Sequence, residues 1–168
     1  MNVLHELMAI KRFREGQAEL AVTRQRRALA EAERARLEAQ ARLEEYRQWA
    51  LQYEHALYQD LCSRLVRPSE IEDVLEHVAG MREGEHDHEA RLEEAAEQVR
   101  RVSEDLAQCR EAHREASRMV EKFVQLVSQH AAEELRENQR LEDLEMEEAA
   151  SVARDHDEWQ QHDDYEPA

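Results

Sequence analysis

The sequence predicts an all-α fold in which two long helices form an antiparallel coiled-coil hairpin with a turn near residues 66–69. Three observations lead there. An apolar repeat runs by steps of three and four residues from Ile71 to Val127, and a 3.5-residue period keeps one side of a helix against a partner helix. Charged residues make up 38% of the 168-residue chain and aromatics 5%, with only three Gly and two Pro, too few turn formers to punctuate a fold of many short elements. Pro68 is the only proline before the penultimate residue.

The first arm, about residues 2–66, carries the looser repeat. Its register is Met8, Val22, Leu29, Ala32, Ala39, Leu43, Tyr46, Ala50, Tyr53 and Leu57, with Glu15, Gln25 and Arg36 as polar intrusions. Pro68 lacks an amide donor and disfavours helix at Arg67, so this arm is expected to end near Val66. Ser69-Glu70-Ile71-Glu72 then fits a capping box, Ser69 capping the Glu72 amide and Glu72 returning the bond. A stop followed at once by a start is a tight turn. With the turn centred near residue 68, residue i should lie beside about residue 136 − i, so that Tyr46 meets the Leu92 region.

The second arm, about residues 70–148, carries the strong repeat. Its seam is Ile71, Val74, Val78, Met81, Glu85, His88, Leu92, Ala95, Val99, Val102, Leu106, Cys109, His113, Ala116, Val120, Phe123 and Val127, of which only Glu85, His88 and His113 are polar. Gly80 and Gly84 fall just before the weak polar seam positions Glu85 and His88; each should cost about 1 kcal/mol of helix stability relative to Ala, marking either a soft point or a tolerated weakness. Arms of about 65 residues at about 1.5 Å each make a rod on the order of 100 Å long. The second arm should overshoot the first from about residue 135. The hairpin thus occupies residues 1–148, and the acidic stretch 149–168 is expected to fray or be disordered.

A narrow seam has no interior in which to build a catalytic pocket, and no phosphate loop, nucleophile elbow or carboxylate pair is present in the sequence. No enzyme activity and no cofactor are expected. Nine histidines raise a metal hypothesis. In its tightest cluster, His86-Asp87-His88, a spacing of two points the rings about 200° apart on a helix, and surface histidines are the better account. Cys62 and Cys109 lie about 35 residues apart in their distance from the turn, or about 50 Å along the rod, too far to pair. A reducing compartment fits.

Residues 1–67 carry 12 basic and 10 acidic side chains (12 − 10 = +2), and residues 68–168 carry 11 and 30 (11 − 30 = −19). Nucleic acid is therefore an unsuitable partner. The basic run Lys11, Arg12, Arg14, Arg24, Arg26 and Arg27 either balances the acidic arm or docks an acidic partner. No apolar stretch reaches the roughly 20 residues that span a bilayer, and the first residues lack the apolar core of a secretory signal. A cytoplasmic protein without direct membrane insertion is expected. An aromatic cluster stands out: Tyr46 and Tyr53 fit the seam, whereas Trp49 and Tyr58 lie off it. Trp49 is then either an interface anchor or a ring packed on the flank of the coil.

Several short motifs resemble those of the small stalk proteins of bacterial type III secretion systems, the YscO-like proteins, with the flagellar FliJ-like proteins as more distant relatives. They are Leu7-x-x-Ile10-Lys11-x-Phe13-Arg14, Tyr46-x-x-Trp49 with Leu57-Tyr58, Met81-Arg82-Glu83, Lys122-Phe123-x-x-Leu126-Val127, and the Glu-rich tail. The resemblance covers nearly the whole chain. It implies a non-catalytic shaft whose joined termini enter the hexameric export ATPase and whose turn end reaches the export gate protein, with a part in handling secretion chaperones. The flagellar relatives use a Leu-x-x-Tyr-x-x-x-Tyr stripe at the gate; here Leu43 and Tyr46 match and Ala50 departs, with Trp49 and Tyr53 close by. The resemblance therefore assigns Leu43, Tyr46, Trp49, Tyr53, Val78 and Met81 to the gate. Leu4, Leu7, Lys11, Arg12, Arg14, Phe123 and Leu126 are assigned to the ATPase ring. It further implies a monomer when alone, attached peripherally to the inner-membrane apparatus. The competing readings are a general cytoplasmic coiled-coil scaffold or tether unrelated to secretion and, on the histidines, a metal-buffering chain. The hairpin signals favour the stalk over a parallel dimeric scaffold.

Overall fold

The computed structural model describes residues 3–163. Two helices account for almost all of them: α1, Val3–Ser63, and α2, Pro68–Asp163. They run antiparallel as a hairpin. The chain divides into two compact units, Arg14–Ala116 around the turn and Met1–Phe13 with Ser117–Ala168.

The turn lies earlier than proline geometry alone requires. α1 ends at Ser63, whose Oγ donates to the Asp60 carbonyl at 3.0 Å. The Arg64 guanidinium joins the two arms, donating to Asp60 Oδ2 at 3.1 Å and to Glu70 Oε1 at 3.0 Å. Leu65 is 100% exposed. Pro68 takes the first helical position, where its missing amide costs nothing. Arg67 is therefore the capping residue in place of Ser69, and Glu70, three residues on, accepts its amide at 2.7 Å. The Glu70 amide in turn donates to the Arg67 carbonyl at 3.0 Å.

This early stop moves the register. The connection 64–67 centres on 65.5, so residue i lies beside about 131 − i rather than 136 − i. Tyr46 accordingly meets Met81 and His88, not the Leu92 region.

The seam follows the repeat. In Arg14–Ala116 the buried side chains are Val22, Ala32 and Leu43 from α1 with Val78, Met81, Val102 and Leu106 from α2. Every expected α2 position from Val74 to Val127 is buried or half-buried. Ile71 is the exception and is exposed, because the register sets it opposite Asp60. On α1, Arg36 and Tyr53 also leave the seam. Within the other unit Leu4, Met8 and Lys11 are half-buried, as are Val120, Phe123, Val127 and His130. Burial on α2 stops at His130, so the overshoot begins at 131 instead of 135: Val3, the first described residue of α1, pairs with about 128 in the observed register. α2 remains helical through Asp163, and residues 164–168 of the acidic tail lie outside the described residues.

Candidate partner-binding surfaces

The polar interruption of the α2 seam is a built layer. The Tyr46 ring crosses from α1, its hydroxyl donating to the Met81 carbonyl at 2.9 Å and its ring lying 4.8 Å from that of His88. The tip of the ring occupies the space a side chain at residue 84 would need. A Cβ built on Gly84 would sit 2.1 Å from the Tyr46 hydroxyl and 2.8 Å from Cζ, so Gly84 is required by close approach. Gly80 differs, with nothing within 4 Å of its Cβ position.

Beside this layer Arg47 donates to Glu85 Oε1 at 2.8 Å and to Glu89 Oε1 at 2.9 Å. The hydrogen bond to Glu85, then that to Glu89, raises the Arg47 pKa above its ordinary value. The Arg47 bond, then one with His86, lowers that of the Glu89 carboxyl. At the turn, Glu70 is likewise held below the usual carboxylate range, first by the Arg67 amide and then by Arg64. These bonds clamp the two arms in one register.

A stacked aromatic ladder stands on the outer side of Tyr46. The Tyr46 and Trp49 ring centroids are 5.5 Å apart and tilted by 50°, while Trp49 and Tyr53 stack at 5.4 Å and 11°. Spacings of three and four residues on one helix place the rings on one face. Trp49 stays half exposed in spite of both contacts. Glu76, His77 and Gly80 from α2 face the ladder across an open groove; the bare surface at Gly80 keeps that groove clear. Of the residues assigned to a gate contact, Leu43, Val78 and Met81 are buried between the arms, and Tyr46, Trp49 and Tyr53 line the surface above them. Tyr58 is exposed and does not belong to the ladder.

The unit formed by Met1–Phe13 and Ser117–Ala168 presents a different surface. Lys11 Nζ lies 5.6 Å above the Phe123 ring centroid, a cation–π contact across the pair. Leu4 is half-buried, whereas Leu7, Arg12 and Leu126 are exposed. Arg14 is exposed in the unit around the turn. Val3, Ile10 and Phe13 add exposed apolar area that the site assignment omitted. Steps of four and three from Val3 to Leu7 to Ile10 are the signal that would have found a second stripe beside the seam.

His86 is exposed and faces Glu89, while His88 lies half-buried under Tyr46, so the two rings diverge. Among the described residues no three His, Cys, Asp or Glu side chains converge as a metal site requires, and no helix is long and apolar enough to cross a membrane. Cys62 and Cys109 are both free thiols.

The family model described as type III secretion protein YscO matches residues 4–152, most of the chain. The chain belongs to the YscO family. The crystal structure of the type III secretion protein YscO from Vibrio parahaemolyticus is similar to it, with a TM-score of 0.82 and 29% identity over 87% of this chain and 92% of that one. Comparison with curated proteins gives no match. As a YscO-family member the chain is a type III secretion protein, which sets aside a scaffold unrelated to secretion.

Proposed function

We propose that this YscO-family chain is the non-catalytic central stalk of its secretion system, coupling the hexameric export ATPase to the export gate and assisting chaperone and substrate handling. The observation that carries this reading is the clamped layer under the aromatic ladder. A coupling element must hold its two arms in one register under load, and Tyr46 with Arg47 supplies that across the seam. The same layer seats Trp49 and Tyr53 as partly exposed rings, the residue types that dominate partner binding.

In this reading Leu43, Val78 and Met81 form the base of the gate contact, with Tyr46, Trp49 and Tyr53 as its face. Leu4, Leu7, Lys11, Arg12, Arg14, Phe123 and Leu126 meet the ATPase ring, the cations steering toward an acidic sleeve. The protein works in the cytoplasm, as a monomer when alone, against the cytoplasmic side of the inner-membrane apparatus.

The test is hydrolysis by the export ATPase of the same cell, at a concentration where its hexamer is partly assembled, with and without the full chain. Stimulation is expected, with loss on removing residues 1–14 or reversing charge at Lys11, Arg12 and Arg14. Absence of both binding and stimulation overturns the stalk reading.

A further inference from the structure

Past His130, α2 has no companion among the described residues. Every position from 131 to 162 is exposed, and α1, which reaches only to about residue 128 in the observed register, offers nothing to cover it. A solitary helix of this kind is usually polar all round. This one is not. Leu141, Leu144, Val152 and Trp159 are exposed at 47%, 50%, 66% and 77%.

Those four share a face. With Glu148 and Asp155 they form the series 141, 144, 148, 152, 155, 159, whose steps of 3, 4, 4, 3 and 4 average 3.6. At about 100° per residue all six fall within about 80° of the helix circumference, over about 27 Å of length. The stripe therefore runs straight along the helix, unlike the 3.5-residue seam before it. Large apolar side chains in one exposed stripe mark a contact surface.

Charge selects what covers it. Positions 131–162 carry 11 Asp+Glu against 3 Arg (3 − 11 = −8). Arg140 pairs with Glu137 at 3.2 Å, and Arg154 turns to the Ala150 carbonyl at 3.3 Å. Glu148 and Asp155 interrupt the apolar stripe itself, so an occupant must bring cations to the seam as well as to its flanks. A second copy of the chain would set −8 against −8 and bury four carboxylates without counter-charge.

We infer that residues 141–159 of α2 are a docking helix for a basic amphipathic helix of a partner protein, one with apolar side chains at helical spacing and Lys or Arg opposite Glu148 and Asp155. This does not rest on the stalk reading, since it uses neither the ATPase nor the gate assignment. The stripe and its carboxylates together select the partner: apolar contact supplies affinity, and the paired cations fix the register and reject acidic helices.

The experiment uses the full chain carrying Trp49→Phe, which leaves Trp159 as the one tryptophan. Three synthetic peptides are titrated: a Leu/Lys amphipathic helix, the same composition scrambled off the helical period, and the same Leu pattern with Glu for Lys. The first should shift Trp159 emission to the blue, and 0.5 M salt should weaken it by at least about tenfold. Leu144→Glu should abolish the shift, and Glu148→Lys with Asp155→Lys should cost at least about tenfold in affinity. Circular dichroism should show the hairpin melting unchanged in both variants. Equal binding of the scrambled peptide reduces the surface to charge alone and overturns the inference, as does equal binding of the acidic peptide. Concentration-dependent dimers in sedimentation that bury Trp159 would assign the stripe to a second copy and overturn it too.

Discussion

Gly80 and Gly84 sit one helical turn apart on α2, and substituting alanine at each should move stability in opposite directions. Replacing an interior helical glycine by alanine normally gains about 1 kcal/mol. At Gly80 the new methyl meets nothing within 4 Å, so the full gain should appear as a rise in Tm of about 2–4 °C for a chain of this size. At Gly84 the methyl would stand 2.1 Å from the Tyr46 hydroxyl and 2.8 Å from Cζ. The ring must swing out. That forfeits its hydrogen bond to the Met81 carbonyl, worth about 1 kcal/mol, and its packing on His88, worth about 1 kcal/mol, and forces an off-rotamer side chain at about 1 kcal/mol. Against the helical gain of about 1 kcal/mol, Gly84→Ala should destabilise by about 2 kcal/mol and differ from Gly80→Ala by about 3. Urea or thermal melts followed by circular dichroism measure both. Tyr46→Phe supplies the control: with no hydroxyl to displace, Gly84→Ala should cost about 1 kcal/mol less in that background. If Gly84→Ala stabilises as much as Gly80→Ala, the close-approach argument is wrong.

Other consequences follow from the same structure. Leu106→Ala, at a position 4% exposed, should cost about 2–5 kcal/mol in the same melts, whereas Leu144→Ala beyond the paired region should stay within about 0.5 kcal/mol; equal costs would contradict the burial pattern. Glu89 has a lowered folded-state pKa through Arg47, so its contribution is present above the ordinary carboxylate pKa and lost as pH falls through the lower folded value. A thermal series should show Glu89→Gln below the parent at neutral pH and equal to it in acid; a gap that widens in acid reverses the sign and refutes the pairing. On the proposed stalk role, Trp49→Ala should weaken binding to the export gate protein by about 2 kcal/mol, near thirtyfold, in calorimetry, with hairpin Tm little changed because the ring is half exposed; a loss of folding instead would make the ring structural. On the same proposed role, reversing charge at Arg12 and Arg14, both exposed, should slow association with the export ATPase and flatten its salt dependence, read by stopped flow; an unchanged rate would count against the ring assignment.

Most of the helical architecture was legible because a coiled-coil period is local: the residues that make a stripe are three and four apart, and no distant contact is needed to see them. From Val74 to Val127 each seam position is removed from solvent at least in part, the polar Glu85, His88 and His113 included. The candidate surfaces were legible only in their residue types. Trp49 was visible as a large ring off the seam, whereas its stacking on Tyr53, which still leaves half of it in water, is a matter of ring placement that spacing does not give. Tyr53 fits the seam period yet stands outside it, exposed and with its ring stacked on Trp49.

The sequence by itself determined two helices, their antiparallel return at the proline and the identity of the seam. Only the tertiary structure decided the register. α1 stops at Ser63, Arg64 clasps Asp60 and Glu70, and the pairing shifts by about five residues. That shift sets Tyr46 over Gly84 and Arg47 between Glu85 and Glu89. No spacing within one arm encodes it, since register depends on where the connection ends and on which side chains then fit across the seam.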